Sequence, residues 1–434
     1  MDLNKRTSRR QFLNRSLGIA TGIAAFNIVP RHVLGGQGHI APSERLTKAV
    51  IGVGGMGRGH INMAGTKCLA VCDVDESHLK KALEKAGKDC KGYRDFREVL
   101  ARDDIDIVHI ATPPHWHGLM AVAAARAGKD IWLEKPMTRT IGEGIRVAEE
   151  VKKYGRILRL NTWFRFRDGI AGGYMRDGSL TAPEVKKLIN SGLLGWPLKV
   201  TISATTGFNW KFVWSGKEGL KPMPVPPQLD YDMWLGPAPR KPYNPDRVHS
   251  KFRGYWDYDG GGLGDMGQHY LDPVQYLLGK DDTSPVEIEV ASPQQGPDAV
   301  RPWYWVRLKY ADGCEIFLDG ENKQKDAAFI EGPEGKYYGP YKSTIPNLKA
   351  KLAAMPPAEP QVTDFIDAVR NRRTFALNES NGHRSCTLVN LAKIALRLGR
   401  PLRFDPEKQR FIGDEAANRL IDQPMRGPWH MLMS

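Results

Sequence analysis

From position 46 onward the chain alternates short apolar runs with amphipathic stretches in a regular order. An apolar run beginning at 46 ends in Gly52, and 67–75 reads as a second buried strand. Helical stretches follow at 78–86 and 96–101, separated by a short segment around Tyr93, and 105–111 is a further apolar strand. An Ala-rich helix at 118–127, a strand at 129–133, a helix at 141–154 and a strand at 157–160 complete the series. Strands and helices alternating at this spacing predict a parallel sheet, whose ligands bind beyond the carboxyl ends of its strands.

After a helix at 181–194 the texture changes. Residues 199–205 read as a strand, while 207–258 are rich in Trp, Tyr, Pro and Gly with little periodicity. Side chains alternate again at 286–290, 303–310 and 314–318, which predicts an antiparallel sheet with one covered face. Asp312-Gly313 joins the last two strands as a tight hairpin turn. Late helices stand at 362–370 and 385–398, the second closed by Gly399. No internal repeat or heptad is present, so the sequence gives no support to a pure scaffold.

The chain has 434 residues, 41% of them hydrophobic, enough for more than one domain. Its formal charge is +14, of which residues 1–36 supply +5 (six basic residues against Asp2), leaving +9 on the remainder. No basic run is interleaved with aromatics, so no nucleic-acid partner is expected. Arg9-Arg10 precede a modestly apolar, Gly- and Ala-rich stretch at 17–29 and a small-residue region at 30–41. That order predicts a signal peptide of the twin-arginine kind at 1–36, export machinery as a partner, and a periplasmic or otherwise exported protein with no mature transmembrane segment. Five Cys are an odd count for a disulfide framework, and Cys68 and Cys72 read as small buried residues of one strand.

Candidate chemistry begins where the first strand ends, in Gly52-Val53-Gly54-Gly55-Met56-Gly57. At such a turn Gly52 accepts tight dihedrals, Gly54 lets the backbone approach a pyrophosphate, and Gly57 lets the helix pack close to the sheet. The helix N-terminus then offers N–H groups to phosphates. Asp73 stands 21 positions after Gly52, close to where an acid accepting ribose hydroxyls belongs, with no basic sequence neighbour to hold a 2′-phosphate. NAD is therefore expected over NADP. Thr112-Pro113-Pro114-His115-Trp116-His117 and Glu134-Lys135-Pro136 follow two further strands, which puts Lys135 at a strand end on the ligand side.

A second constellation is Asp259-Gly260-Gly261-Gly262-Leu263-Gly264-Asp265-Met266-Gly267-Gln268-His269, leading to Asp272. Asp265 and His269 are four apart and share one helical face. Asp265 is a candidate helix cap that holds His269 or a substrate hydroxyl, and His269 is a suitable base for an alcohol proton. A catalytic face, a structural capping network and a metal site all fit these residues. The metal reading lacks a convincing third ligand beside Asp272, so no metal is expected. His115 and His117 fit core or hydrogen-bonding roles as well as cofactor contact.

GVGGMG, ATPPHWH, EKP and GGGLGDMGQHYLD together resemble the motifs of the glucose-fructose oxidoreductases, inositol dehydrogenases and their relatives, over roughly residues 46–429. The resemblance implies an N-terminal Rossmann nucleotide-binding domain at 45–162. It implies a C-terminal α+β domain at 163–434 with an open, largely antiparallel sheet that forms the substrate pocket and an oligomer face, its late helices packing back on the first domain. It assigns Lys135, Asp265 and His269 as the catalytic group. Gly52, Gly54, Gly55, Met56, Gly57, Asp73, Thr112, Pro113, His117, Glu134 and Lys135 are the expected NAD contacts, and the chain is expected to self-associate. The implied activity is hydride transfer from a secondary hydroxyl of a sugar, glycoside or polyol to a retained NAD. The family also contains NAD-using glycosidases that oxidise and re-reduce a sugar, and a non-catalytic carbohydrate-binding protein is a further alternative. Trp163, Trp210, Trp214 and Trp256 are candidates to stack on a sugar face, each equally well placed as core or subunit contact.

Overall fold

A computed structural model of the chain describes residues 45–162, 165, 180–203, 214–339, 342–357 and 359–431. The expected export segment at 1–36, together with Trp163 and Trp210, lies outside the described residues. The first half runs β1 (Leu46–Ile51), α1 (Gly55–His60), β2 (Thr66–Cys72), α2 (Glu76–Ala86), β3 (Lys91–Tyr93), α3 (Phe96–Leu100), β4 (Ile107–Ile110), α4 (His117–Arg126), β5 (Asp130–Glu134), α5 (Ile141–Lys153) and β6 (Leu158–Asn161). All six strands are parallel neighbours in the order β3-β2-β1-β4-β5-β6, the doubly wound order of a Rossmann domain. Register aligns their ends: Ile51 pairs with Cys72 and Ile110, and Ile110 with Leu133. The glycine turn, Asp73, Thr112 and Lys135 therefore leave the sheet on one side.

Local signals set the helix starts. Asp75 caps α2 by accepting the N–H groups of Ser77 and His78, and Thr140 caps α5 by accepting that of Glu143. At the turn, Gly52 has φ 82, which an L side chain rarely adopts. A β-carbon on Gly57 would lie 1.9 Å from the Gly52 carbonyl oxygen, so the start of α1 rests directly on the strand end.

The second half continues with α6 (Ala182–Asn190), β7 (Lys199–Ile202), α7 (Tyr231–Leu235), α8 (Gly261–Leu277), β8 (Glu287–Ala291), β9 (Trp305–Lys309), β10 (Glu315–Asp319), β11 (Ile330–Glu331), β12 (Lys336–Gly339) and β13 (Lys342–Ser343). It closes with α9 (Leu348–Ala353), α10 (Phe365–Asn371), α11 (Glu379–Leu398), β14 (Leu402–Asp405), β15 (Arg410–Phe411) and α12 (Glu415–Asn418). Its strands form a nine-stranded sheet, β13-β12-β11-β7-β10-β9-β8-β14-β15, antiparallel except where β10 runs parallel to β7. Alternate residues of β9 and β10 are buried under α6 and α8, as half-covered strands require. Both halves belong to one compact unit that begins at Leu46. Helix α11 packs on α5, α8 and β8, and Phe365, Phe375 and Leu377 complete the core of the first half.

Several boundaries differ from the sequence reading, each for a local reason. Helix α11 starts at Glu379, because Asn378 and Asn381 form a reciprocal capping box that the apolar period does not reveal. Asp364 caps α10 at Phe365, three residues after the expected start. Strands β11 and β13 span two residues each, too short to show alternation. The segment 207–258 contains α7 and a single-turn helix at His249–Gly254.

Gly57→Ala is expected to destabilise the chain by about 1–3 kcal/mol, the cost of forcing atoms into a filled contact. Gly55→Ala, whose β-carbon meets nothing within 4 Å, is expected to leave stability unchanged or slightly raised. Urea denaturation of the two variants side by side checks the difference.

Candidate active site

The ends of β1, β2, β4 and β5 open on a cleft of about 460 Å³. Its walls include Gly52, Gly54, Gly55, Met56 and Asp73 from the first two strand ends, and Thr112 and Pro113 from the third. Glu134 and Lys135 come from the fourth, and Asp265 from α8 across the cleft. Gly57 and His117 are not on these walls. Gly57 serves the close contact of α1 with the strand, as its packing shows.

Each polar group on the wall is held by the fold. Asp73 Oδ2 accepts the N–H of Val53 at 2.9 Å and Oδ1 that of Asp75 at 2.9 Å, which ties the glycine turn to the end of β2. The sequence shows no basic neighbour of Asp73, but the fold brings His78, His249 and Arg94 to the same part of the cleft. His78 Nδ1 lies 3.5 Å from Asp73 Oδ2, a contact that raises the proton affinity of His78, while Arg94 is paired with Glu76 at 2.8 Å. Glu134 faces the cleft at its edge, yet its Oε1 is engaged by His60 Nε2 at 2.9 Å and Asn161 Nδ2 at 2.6 Å. It fixes the end of β5. His117 sits with Nδ1 2.7 Å from the Pro136 carbonyl and Nε2 2.8 Å from that of Thr112. It thus braces the two loops that border the cleft from behind. His115 is fully buried against the Trp234 carbonyl at 3.0 Å, and burial pulls its pKa down to about 3.

Lys135 follows β5 and projects toward α8. Its Nζ donates to the Asp265 backbone carbonyl at 2.9 Å and meets Asp265 Oδ2 at 3.1 Å. Arg253 Nε donates to Asp265 Oδ1 at 2.8 Å, so the carboxylate has one cation on each oxygen. Burial alone would raise the Asp265 pKa; the charges and hydrogen bonds of Lys135 and Arg253 outweigh it and hold the group below its ordinary value. Asp265 is not the helix cap that its position after the glycines suggested. Helix α8 starts four residues earlier, after Gly260 at φ 118, with no side-chain cap. Gly264 is the reason for the tight start, since a β-carbon there would lie 2.6 Å from the Asp259 carbonyl.

His269 lies one turn beyond Asp265, 2% exposed and behind the cleft wall. Burial, reinforced by the Lys135 charge, keeps its pKa well below the ordinary value, so the ring is neutral. Asp272, the weak third ligand of the metal reading, is instead held by Arg165 at 2.9 Å in a pair that is almost fully buried. Trp256 is core, with its Nε1 donating to the Gly296 carbonyl, whereas Trp214 lies beside Arg253 near Asp265.

Comparison with known proteins gives this geometry its context. Residues 46–162 match the model of the oxidoreductase family, NAD-binding Rossmann fold, and 179–431 match its C-terminal alpha/beta domain. The chain belongs to this oxidoreductase family. Inositol 2-dehydrogenase of Salmonella paratyphi B is 29% identical over 160 residues, 36% of this chain and 44% of that protein. Glycosyl hydrolase family 109 protein 1 of Shewanella sp. (strain ANA-3) is 28% identical over 247 residues, 48% of this chain and 51% of that protein. The matches span about half the length of these curated relatives. Among solved structures, the WlbA dehydrogenase of Chromobacterium violaceum, in complex with NADH and UDP-GlcNAcA, shares the fold at TM-score 0.56 and 18% identity. That likeness covers 83% of this chain and 96% of WlbA. Among the described residues no helix is long and apolar enough to cross a membrane.

Sequence reasoning missed Arg253, which stands 12 positions before Asp265 in a stretch without period and reaches the site only through the fold. The hydrogen-bonding role that the sequence allowed His117 takes the form of contacts to the Thr112 and Pro136 carbonyls. His117→Phe keeps the ring volume but removes the donor to a buried carbonyl. It is expected to cost about 1–3 kcal/mol of stability by urea denaturation.

Proposed function

We propose that this chain is an NAD-dependent oxidoreductase that removes hydride from a secondary hydroxyl of a sugar, glycoside or polyol. The observation that supports this most is Lys135, held by Asp265 at the end of β5, in the cleft onto which the glycine turn opens. The cleft suits the dinucleotide. Gly55 has nothing within 4 Å of a β-carbon position, and Gly54 only the edge of His78 at 3.7 Å, so backbone N–H groups can approach a pyrophosphate. Asp73, fixed by two backbone N–H groups, would receive the ribose hydroxyls. NAD, when bound, supplies the hydride acceptor.

The remaining steps belong to side chains. Two of the three Lys135 N–H groups are directed at Asp265, which leaves the third to donate to the reacting oxygen and stabilise its growing negative charge. His269 or Lys135 takes the hydroxyl proton; for His269, which is buried behind the cleft wall, this requires the ring to turn toward the cleft. A buried imidazole is a weak base, so it can accept that proton only from an oxygen that Lys135 has already polarised. Asp265 holds the Lys135 ammonium in place and is itself held by Arg253, whose guanidinium lies over the Trp214 ring, while Trp116 and Trp234 are the described tryptophans that line the cleft.

The similarity to a glycoside hydrolase family 109 protein supports a second reading, in which the same cleft oxidises a glycoside, lets it eliminate its aglycone, and returns the hydride. Turnover of a sugar and glycoside panel separates the two: accumulating NADH with a keto product indicates net oxidation, and aglycone release without net NADH indicates the cycle. Sugar binding without turnover of any panel member would overturn both.

Lys135→Ala is expected to lower turnover by about 10²–10⁴-fold with NAD binding retained, and His269→Ala to match it if His269 accepts the proton. A smaller loss in His269→Ala, with an unchanged pH profile, would reduce His269 to a positioning residue. Acid denaturation of freshly purified protein is expected to release NAD in about one-to-one ratio, because an exported enzyme would carry its cofactor with it. Export rests on Arg9-Arg10; replacing both by Lys is expected to leave the native protein unprocessed in the cytoplasm, as cell fractionation would show.

A further inference from the structure

Three strand spacings from Lys135, about 14 Å across the sheet, the cleft has a second cluster of polar side chains. Asp75, His78 and His249 each bring one donor atom within 4.8 Å of the other two. Asp75 uses Oδ1 to cap α2, accepting Ser77 N–H at 2.8 Å, and its Oδ2 faces His249 Nε2 at 3.3 Å. His78 Nδ1 lies 3.5 Å from Asp73 Oδ2, which leaves Nε2 as its other possible ligand atom. The two imidazole rings meet edge to face with centroids 4.9 Å apart.

His249 comes from the other half of the chain, at the start of the single-turn helix His249–Gly254. Its φ of 51 is uncommon for a residue with a β-carbon and is met at positions that the surroundings over-determine. A neutral His249 can make this contact by donating Nε2–H to Asp75, and a cation bound between the two would take the place of that proton.

We propose that Asp75, His78 and His249 form a binding site for a divalent cation of the zinc class, with two imidazole nitrogens and one carboxylate oxygen as ligands. Imidazole donors favour zinc, cobalt or nickel over magnesium or calcium. Ligand bonds of about 2.0–2.2 Å in a tetrahedral site put donors about 3.3–3.5 Å apart. The cluster reaches that spacing by rotation of His78 and His249, whose side chains are 28% and 39% exposed. With Nε2 as the ligand atom, Asp73 Oδ2 at 3.5 Å from His78 Nδ1 is placed to orient the metal-bound ring. Three protein ligands leave one position open to the cleft, which all of His78, His249 and Asp73 line. A bound ion would tie the 249–254 segment, and with it Arg253, to the start of α2.

The test uses untagged full-length protein, stripped with a chelator and dialysed against zinc, with metal content read by mass spectrometry and cobalt as a spectroscopic probe. One zinc per chain is expected, with cobalt giving the intense visible bands of a four-coordinate site and zinc raising the melting temperature. His249→Gly, which suits the left-handed backbone, and His78→Ala are expected to weaken zinc binding by at least about tenfold. The proposal is overturned if the parent takes up no more zinc than His249→Gly, or if cobalt shows the same weak, water-like spectrum in both. Because the readouts are metal content, spectrum and melting temperature, the result does not depend on what the enzyme oxidises.

Discussion

The ion pair between Lys135 and Asp265 joins the end of a parallel strand in one half of the chain to a helix in the other, and the arrangement of the site depends on it. A lysine and an aspartate this little exposed have lost most of their hydration, and that loss is recovered only if each finds close partners. Asp265 finds them in Lys135 and Arg253; Lys135 finds both the carboxylate and the backbone carbonyl of the same residue. Because the carbonyl belongs to α8, the lysine can be satisfied only when that helix starts at the right place. The run of glycines from Gly260 to Gly264 permits this, by a left-handed turn at Gly260 and by close packing over Asp259. Helix start, ion pair and cleft are therefore one constraint.

Below the cleft the strand ends are fixed by buried polar groups. Lys48, in the middle of β1, has no exposed surface and donates to the His60 carbonyl at 2.6 Å; burial pulls its pKa down to about 8. His60 in turn engages Glu134, and Asn161 reaches Glu134 from the neighbouring strand. Such groups add little net stability compared with an apolar core, but each leaves a penalty if its partner shifts. They give the end of β5, and hence Lys135, one position. His117 does the same from above by bracing Thr112 and Pro136.

The first half of the fold was legible because its signals are local. Six short apolar strands, capped helices and a glycine turn all act within a few residues, and the parallel order follows from the alternation. Lys135 and Asp265 stood out because each lies in a motif with an unusual composition. The second half was less legible. Strands of two residues carry no period, and α11 extends beyond its apolar stripe because of an Asn capping box. Residues that matter only through tertiary contact left no trace: Arg253 lies in an aperiodic stretch, and His249 is 171 positions from His78 in the sequence, although their rings touch. His117 fits both a cofactor contact and a hydrogen-bonding role in the sequence, and only the fold shows both its nitrogens beside backbone carbonyls.

Charge in the site favours one direction of chemistry. Lys135 and Arg253 bring two positive charges to the single negative charge of Asp265. The nearby buried carboxyl of Asp259 adds little negative charge, because burial and the Asp265 charge push its pKa up, while Glu134 on the same wall is engaged by His60 and Asn161. The N–H that Lys135 keeps free of Asp265 stabilises an oxygen that is gaining negative charge, and it does so at low dielectric where the effect is large. The first step of net oxidation and the first step of a redox-cycling glycosidase both create that oxygen. The electrostatics thus supports hydride removal in either reading, and what distinguishes them must lie in how the oxidised sugar is held afterwards, beyond the reach of Lys135.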